Sequence, residues 1–122
     1  MIPRPRFLRL VRRALAGLPP PFRERLSNVD MVVKRRPGLD DLREAGLGPG
    51  ETLYGLYSGV PLTERSNYGF VLPDKITIFQ QALEQDFPDE TELVEEVRKT
   101  VLHEIAHHFG ISDEKLAEMG LE

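Results

Sequence analysis

Three residues near the end of the chain have the types and spacing for metal chemistry: His103, Glu104 and His107. On a helix, positions i and i+4 lie about 40° apart around the axis, so two imidazoles one turn apart can reach a single ion. Glu104 follows the first histidine and sits to the side, where it can touch a water on that ion without ligating it. Two nitrogen ligands and one carboxylate base are the physical content of an H-E-x-x-H pattern. The pattern predicts hydrolysis: the ion lowers the pKa of its water to about 7 and polarises a carbonyl. Glu104 would take the proton from the attacking water and pass it to the leaving amine.

A third ligand is expected just beyond the helix. Gly110 suits a left-handed turn that reverses the chain after His107. A residue three positions later then swings back under the metal, and here it is Asp113, a carboxylate of the kind zinc accepts at about 2.0–2.2 Å. His103, His107 and Asp113 leave a fourth position for water. Asp113 has a competing role as N-cap of the last helix; Ser112 could take that cap, and Glu114 is the alternative third ligand. His108, near the edge of the apolar stripe, reads as a packing or supporting residue. One Zn2+ is the expected ion, although a nitrogen and oxygen donor set also accepts manganese, cobalt or iron. The chain has no cysteine, which excludes disulfides, iron–sulfur clusters and thiolate zinc sites.

The elements that must position these residues follow from periodicity and punctuation. Asp89 as N-cap and Glu92 three residues on resemble a capping box, opening a helix predicted to run to Phe109. Val94, Val97, Val101, Leu102, Ile105, Ala106 and Phe109 share one stripe, with His103 and His107 roughly opposite, facing a cleft. Upstream, Phe7–Leu18 is an amphipathic helix stopped by Gly17 and Pro19–Pro21, and a helical turn over Phe22–Leu26 follows. Val29–Lys34, Thr52–Tyr57, Phe70–Leu72 and Lys75–Phe79 read as strands, and Asp40–Ala45 as a short helix. Gly55, inside the second strand, marks a bulge or a close backbone approach. Ser58–Asn67 is a loop, and a last helix runs from Ser112 or Asp113 to Met119.

This order gives an α+β fold: a short mixed or antiparallel sheet packed on the histidine helix, with helices at both ends. At 122 residues, one domain spanning 1–122 is expected. Lys75–Phe79 is expected to offer an edge to an extended peptide. Tyr54, Tyr57, Arg65 and Tyr68 are candidates to steady an oxyanion.

No apolar run approaches the length of a bilayer-spanning helix, so no membrane partner and a cytoplasmic location are expected. The net charge of −4 hides an asymmetry: residues 1–40 carry 10 basic and 3 acidic side chains. The two halves are expected to fold against each other and largely neutralise. A basic arm for nucleic acid is the less favoured reading, because aromatics are not interleaved with the arginines.

The segments TVLHEIAHHFGISDEKLAEMG (100–120), GLYSGVPLTER (55–65) and LPDKITIF (72–79) resemble a family of minimal zincin-like metallopeptidases from bacteria. The likeness extends from Val29 onward. The longer pattern H-E-x-x-H-x-x-G-x-x-D looks like metzincins in which aspartate replaces the usual third histidine. The resemblance implies a small zincin-like domain and a zinc-dependent peptidase acting on peptide or protein substrates. It implies His103, His107 and Asp113 as ligands and Glu104 as general base. Metzincins carry a methionine-containing turn beneath the metal, well downstream; here Met119 falls in a predicted helix instead. The alternatives are a non-catalytic module stapled by a metal and, third, a nucleic-acid-associated protein using the basic N-terminal third.

Overall fold

The computed structural model describes residues 2–59 and 74–121. Prolines set the start of the first two helices. Pro5 lies in the first turn of α1 (Arg4–Ala16), and Pro20 and Pro21 open α2 (Pro20–Arg25). At those positions a missing N–H loses nothing and the fixed φ suits the helix. A single 3-10 turn, Leu26–Asn28, leads into β1 (Val29–Lys34). Then come α3 (Leu39–Glu44), β2 (Gly55–Ser58), β3 (Asp74–Phe79), α4 (Gln80–Asp86), α5 (Glu90–His108) and α6 (Asp113–Glu118). The expected strand Phe70–Leu72, with Arg65 and Tyr68, lies outside the described residues. The α+β class is as expected.

The sheet is mixed, in the order β1-β3-β2, with β1 parallel and β2 antiparallel to β3. Ile76 and Ile78 face the main core, and Thr77 and Phe79 on the other face are also without exposed surface. The alternation along β3 is therefore covered on both sides. One expectation is corrected here. β3 cannot offer an edge to a peptide, because β1 and β2 occupy both of its hydrogen-bonding sides; among the described residues the edge strands are β1 and β2.

α1 lies along α5 in the same direction. Arg6 Nη2 meets Glu90 Oε1 at 2.5 Å at one end, and Gly17 lies against the Arg98 side chain further along. Phe7, Leu10, Val11 and Ala14 of α1 join Leu93, Val97, Val101, Leu102 and Ile105 of α5 in one buried cluster with Ile76 and Ile78. Burial of such side chains stabilises a domain by about 1.5–3 kcal/mol each. Neutralisation between the two halves is limited among the described residues. Besides the local Lys34–Asp41 and Asp40–Arg43 pairs, Arg6–Glu90 is the ion pair that joins them, and Arg9, Arg12 and Arg13 are exposed. None of the described helices is long and apolar enough to cross a membrane.

Besides shifted ends, with α1 at Arg4–Ala16 where Phe7–Leu18 is expected and β2 at Gly55–Ser58 where Thr52–Tyr57 is expected, two helical details differ from the sequence reading. α4 is not foreseen by the pattern, because QQALEQD offers only Ala82 and Leu83 as apolar residues, too few to show a period. It forms where β3 ends and buries both of them. Phe109, expected on the buried stripe of α5, is 44% exposed, and Leu93 is a fully buried core residue in the first turn instead. Phe109 caps the helix beyond its last turn and lies under the Arg25 guanidinium, 4.0 Å from the ring centroid.

Candidate metal centre

The site is built at the C-terminal end of α5. The helix starts where Asp89 accepts the Glu92 N–H at 3.1 Å. It ends where Gly110, at φ +77°, turns the chain back. The Ile111 N–H donates to the Ala106 carbonyl at 2.8 Å and the Gly110 N–H to the His107 carbonyl at 3.0 Å. That pair of bonds defines a Schellman reversal, which a left-handed residue makes possible. Ser112 then caps α6, its side chain accepting the Lys115 N–H at 3.1 Å. Ser112 thus takes the capping role, and Asp113 is free to turn toward α5.

The reversal brings Asp113 Oδ1 to 2.8 Å from His107 Nε2. The His103 and His107 rings are 6.0 Å apart and within 18° of parallel. His103 Nε2 is buried and has no hydrogen-bond partner among the described residues. Buried polar atoms are rarely left so, because desolvation without a partner costs about 1–3 kcal/mol. Glu114, the alternative third ligand, is exposed. Among the described residues no three histidine or acidic side chains converge into a ready-made ligand set. The structure joins His107 to Asp113 and holds His103 one ring-step away. The donors nevertheless fit zinc: two imidazoles and a carboxylate, one of the imidazole nitrogens buried and unpartnered.

Glu104 lies beside this group, partly buried. Burial raises its carboxyl above the usual glutamate value, opposed by the nearby His107 and by a hydrogen bond from the Tyr57 backbone N–H. The direction of that N–H follows from the sheet. Phe79 N–H donates to the Tyr54 carbonyl, so in this register Leu56 and Ser58 exchange bonds with β3 while Gly55 and Tyr57 turn theirs away from it. The Tyr57 amide therefore projects from the outer edge of β2, where Glu104 meets it.

The oxyanion candidates are placed unequally. Tyr54 stands at the far end of β2, its hydroxyl donating to Asp86 and its ring edge-on to Phe87. The Asp86 hydrogen bond, and then burial, push its phenol up to about 12. The raised folded-state value means that this stabilisation is complete below about pH 10, the ordinary tyrosine value, and is lost as pH rises through about 12. Ultraviolet titration of wild type against Tyr54→Phe should show that the substitution removes a phenolate transition near pH 12; a difference between the two proteins confined to the range near pH 10 would refute the pairing. Tyr57 donates its hydroxyl to Asp74 Oδ2 at 2.7 Å, and its ring stacks on His108 with centroids 3.9 Å apart. His108 is thus the packing residue expected. Asp74, which falls in the turn between the expected strands Phe70–Leu72 and Lys75–Phe79, is a site neighbour that no motif spacing pointed out.

A family model of zincin-like metallopeptidases matches residues 26–121. The chain belongs to that family. Membership carries a metallopeptidase-like fold and zinc binding as family traits. Among solved structures, a conserved hypothetical protein from Thermo thermophilus is 24% identical with a TM-score of 0.55. The match covers 93% of this chain and 95% of that one, and shows a common fold. No curated protein matches the chain.

Proposed function

We propose that this zincin-like protein is a zinc-dependent peptidase in which His103, His107 and Asp113 hold the ion and Glu104 is the general base. The observation that carries this reading is the buried, unpartnered Nε2 of His103 beside the His107–Asp113 pair, at the end of the H-E-x-x-H helix. When bound there, zinc supplies a Lewis acid and a water acidic enough to ionise near neutral pH. Glu104, fixed by the Tyr57 amide, accepts the proton of the attacking water and returns it to the nitrogen of the leaving amine. The partly buried carboxylate has a raised pKa, which favours a base that gives the proton back. The 2.8 Å contact sets the His107 nitrogen beside the Asp113 oxygen, where a bound ion would replace the proton they share. A peptide substrate would extend along β2, the edge strand beside α5, rather than along the central β3.

Metal analysis tests the ligand set. The wild-type protein should hold one zinc per chain, and His103→Ala and His107→Ala should each lose most of it. Zinc retained by both variants would remove the basis of the proposal. Hydrolysis of a peptide library by the zinc-loaded wild type, absent after chelation, tests the reaction itself. Zinc binding without any cleavage would leave the metal-stapled module as the better reading.

A further inference from the structure

Next to the ligand group lies a second set of contacts that metal binding does not require. His108 follows His107, and its ring lies almost flat on Tyr57, with centroids 3.9 Å apart and planes 20° from parallel. The Tyr57 hydroxyl donates to Asp74 Oδ2 at 2.7 Å, and His108 Nε2 is 3.8 Å from the same oxygen. Gly59 closes over the ring: a Cβ there would stand 3.2 Å from His108 Cε1 and 3.4 Å from Asp74 Oδ1. The last turn of α5, the end of β2 and the start of β3 are thereby tied through one aromatic pair and one carboxylate.

We propose that the His108 ring is a positioning platform which, by holding Tyr57 against α5 and Asp74, fixes the Tyr57 amide that orients Glu104. The argument rests on geometry. Tyr57 sits on an outer strand of the described sheet, and its N–H points away from β3 toward Glu104. The direction of that donor therefore depends on whatever else holds the residue. Stacking against His108 and the hydroxyl bond to Asp74 hold it from its side chain. The amide and the ring belong to one residue, so a displaced ring displaces the donor. Consecutive positions on a helix project about 100° apart, so His108 reaches the sheet while His107 turns toward Asp113. One helical turn therefore presents a candidate ligand on one side and a platform on the other.

The inference deepens the peptidase reading and rests on it for its kinetic consequence, but its structural half can be tested alone. His108→Ala should lower kcat for peptide hydrolysis by about 10- to 100-fold, the scale expected when a reacting group is misplaced by about 1 Å. KM, zinc stoichiometry and Tm should change little, because His108 is partly exposed and does not face Asp113. His108→Phe, which restores a flat ring, should recover most of the rate; a rate that depended on the imidazole itself would not return. Independently of activity, amide hydrogen exchange read by NMR should show Tyr57 exchanging at least about 10-fold faster in His108→Ala than in wild type, the opening expected of a donor no longer held. His108→Phe should restore the wild-type exchange rate. Unchanged Tyr57 exchange in His108→Ala would overturn the platform. A wild type that cleaves no peptide would sink the peptidase reading, while the exchange measurement would still decide the positioning claim.

Discussion

Glu104→Gln is expected to lower kcat for peptide hydrolysis by about 100- to 10,000-fold, the usual contribution of a positioned general base, while zinc stays bound. Glutamine preserves the size of the side chain and can still accept from the Tyr57 amide through its carbonyl oxygen. What it cannot do is take a proton. KM should change little, because the substitution removes a group needed in the transition state rather than in binding. Metal analysis beside steady-state kinetics separates the outcomes. Zinc retained with activity lost identifies the base. Activity retained would remove Glu104 from the chemistry, and zinc lost would show that the carboxylate supports the ion instead.

Gly55→Ala is expected to destabilise the fold by about 1–3 kcal/mol, in the range of overpacked interiors. A Cβ built at Gly55 would lie 2.6 Å from Thr100 Cγ2 and 3.3 Å from the Thr77 carbonyl. Thr100 cannot simply rotate away, because its hydroxyl donates to the Glu96 carbonyl at 2.8 Å. β2 must then lift from α5. Tyr57, which carries the amide to Glu104, is only two residues further along the strand, so activity should fall together with stability. Thr100→Ser deletes the obstructing methyl and keeps the hydroxyl. In a double-mutant cycle the pair should regain much of the loss read by urea unfolding. Strict additivity of the two substitutions would show that the contact does not set the strand-to-helix spacing.

How much of the fold and site is legible in the sequence depends on range. Asp89, Gly110 and the valine and leucine spacing of α5 act within a few residues of themselves, so the helix and its reversal are readable to within a residue. The Ser112 cap is readable as one of two options, and the backbone decides between them. Gly55 announces a bulge or a close approach, and only the neighbouring helix shows that it is the latter. The central place of β3 is hidden, because strand order is fixed by long-range pairing that alternation along one strand does not encode. For the same reason Asp74 looks like a turn residue: its partners, Tyr57 and His108, lie 17 and 34 positions away. Phe109 misleads for the opposite reason, since the helical period is extended one residue past the point where the backbone leaves the helix.

The short helix α6 is attached differently from the rest of the site. His103 and His107 stand on α5, whose inner face is locked in the core, whereas α6 has one buried side chain, Leu116. A six-residue helix held through Leu116, with Ile111 and Leu121 packed only partly against the core on either side of it, can detach without unfolding the sheet or the long helix. Asp113 would leave with it. The two imidazoles would then stay in place while the carboxylate arm swings open, so an ion could be loaded or surrendered much faster than the protein as a whole unfolds.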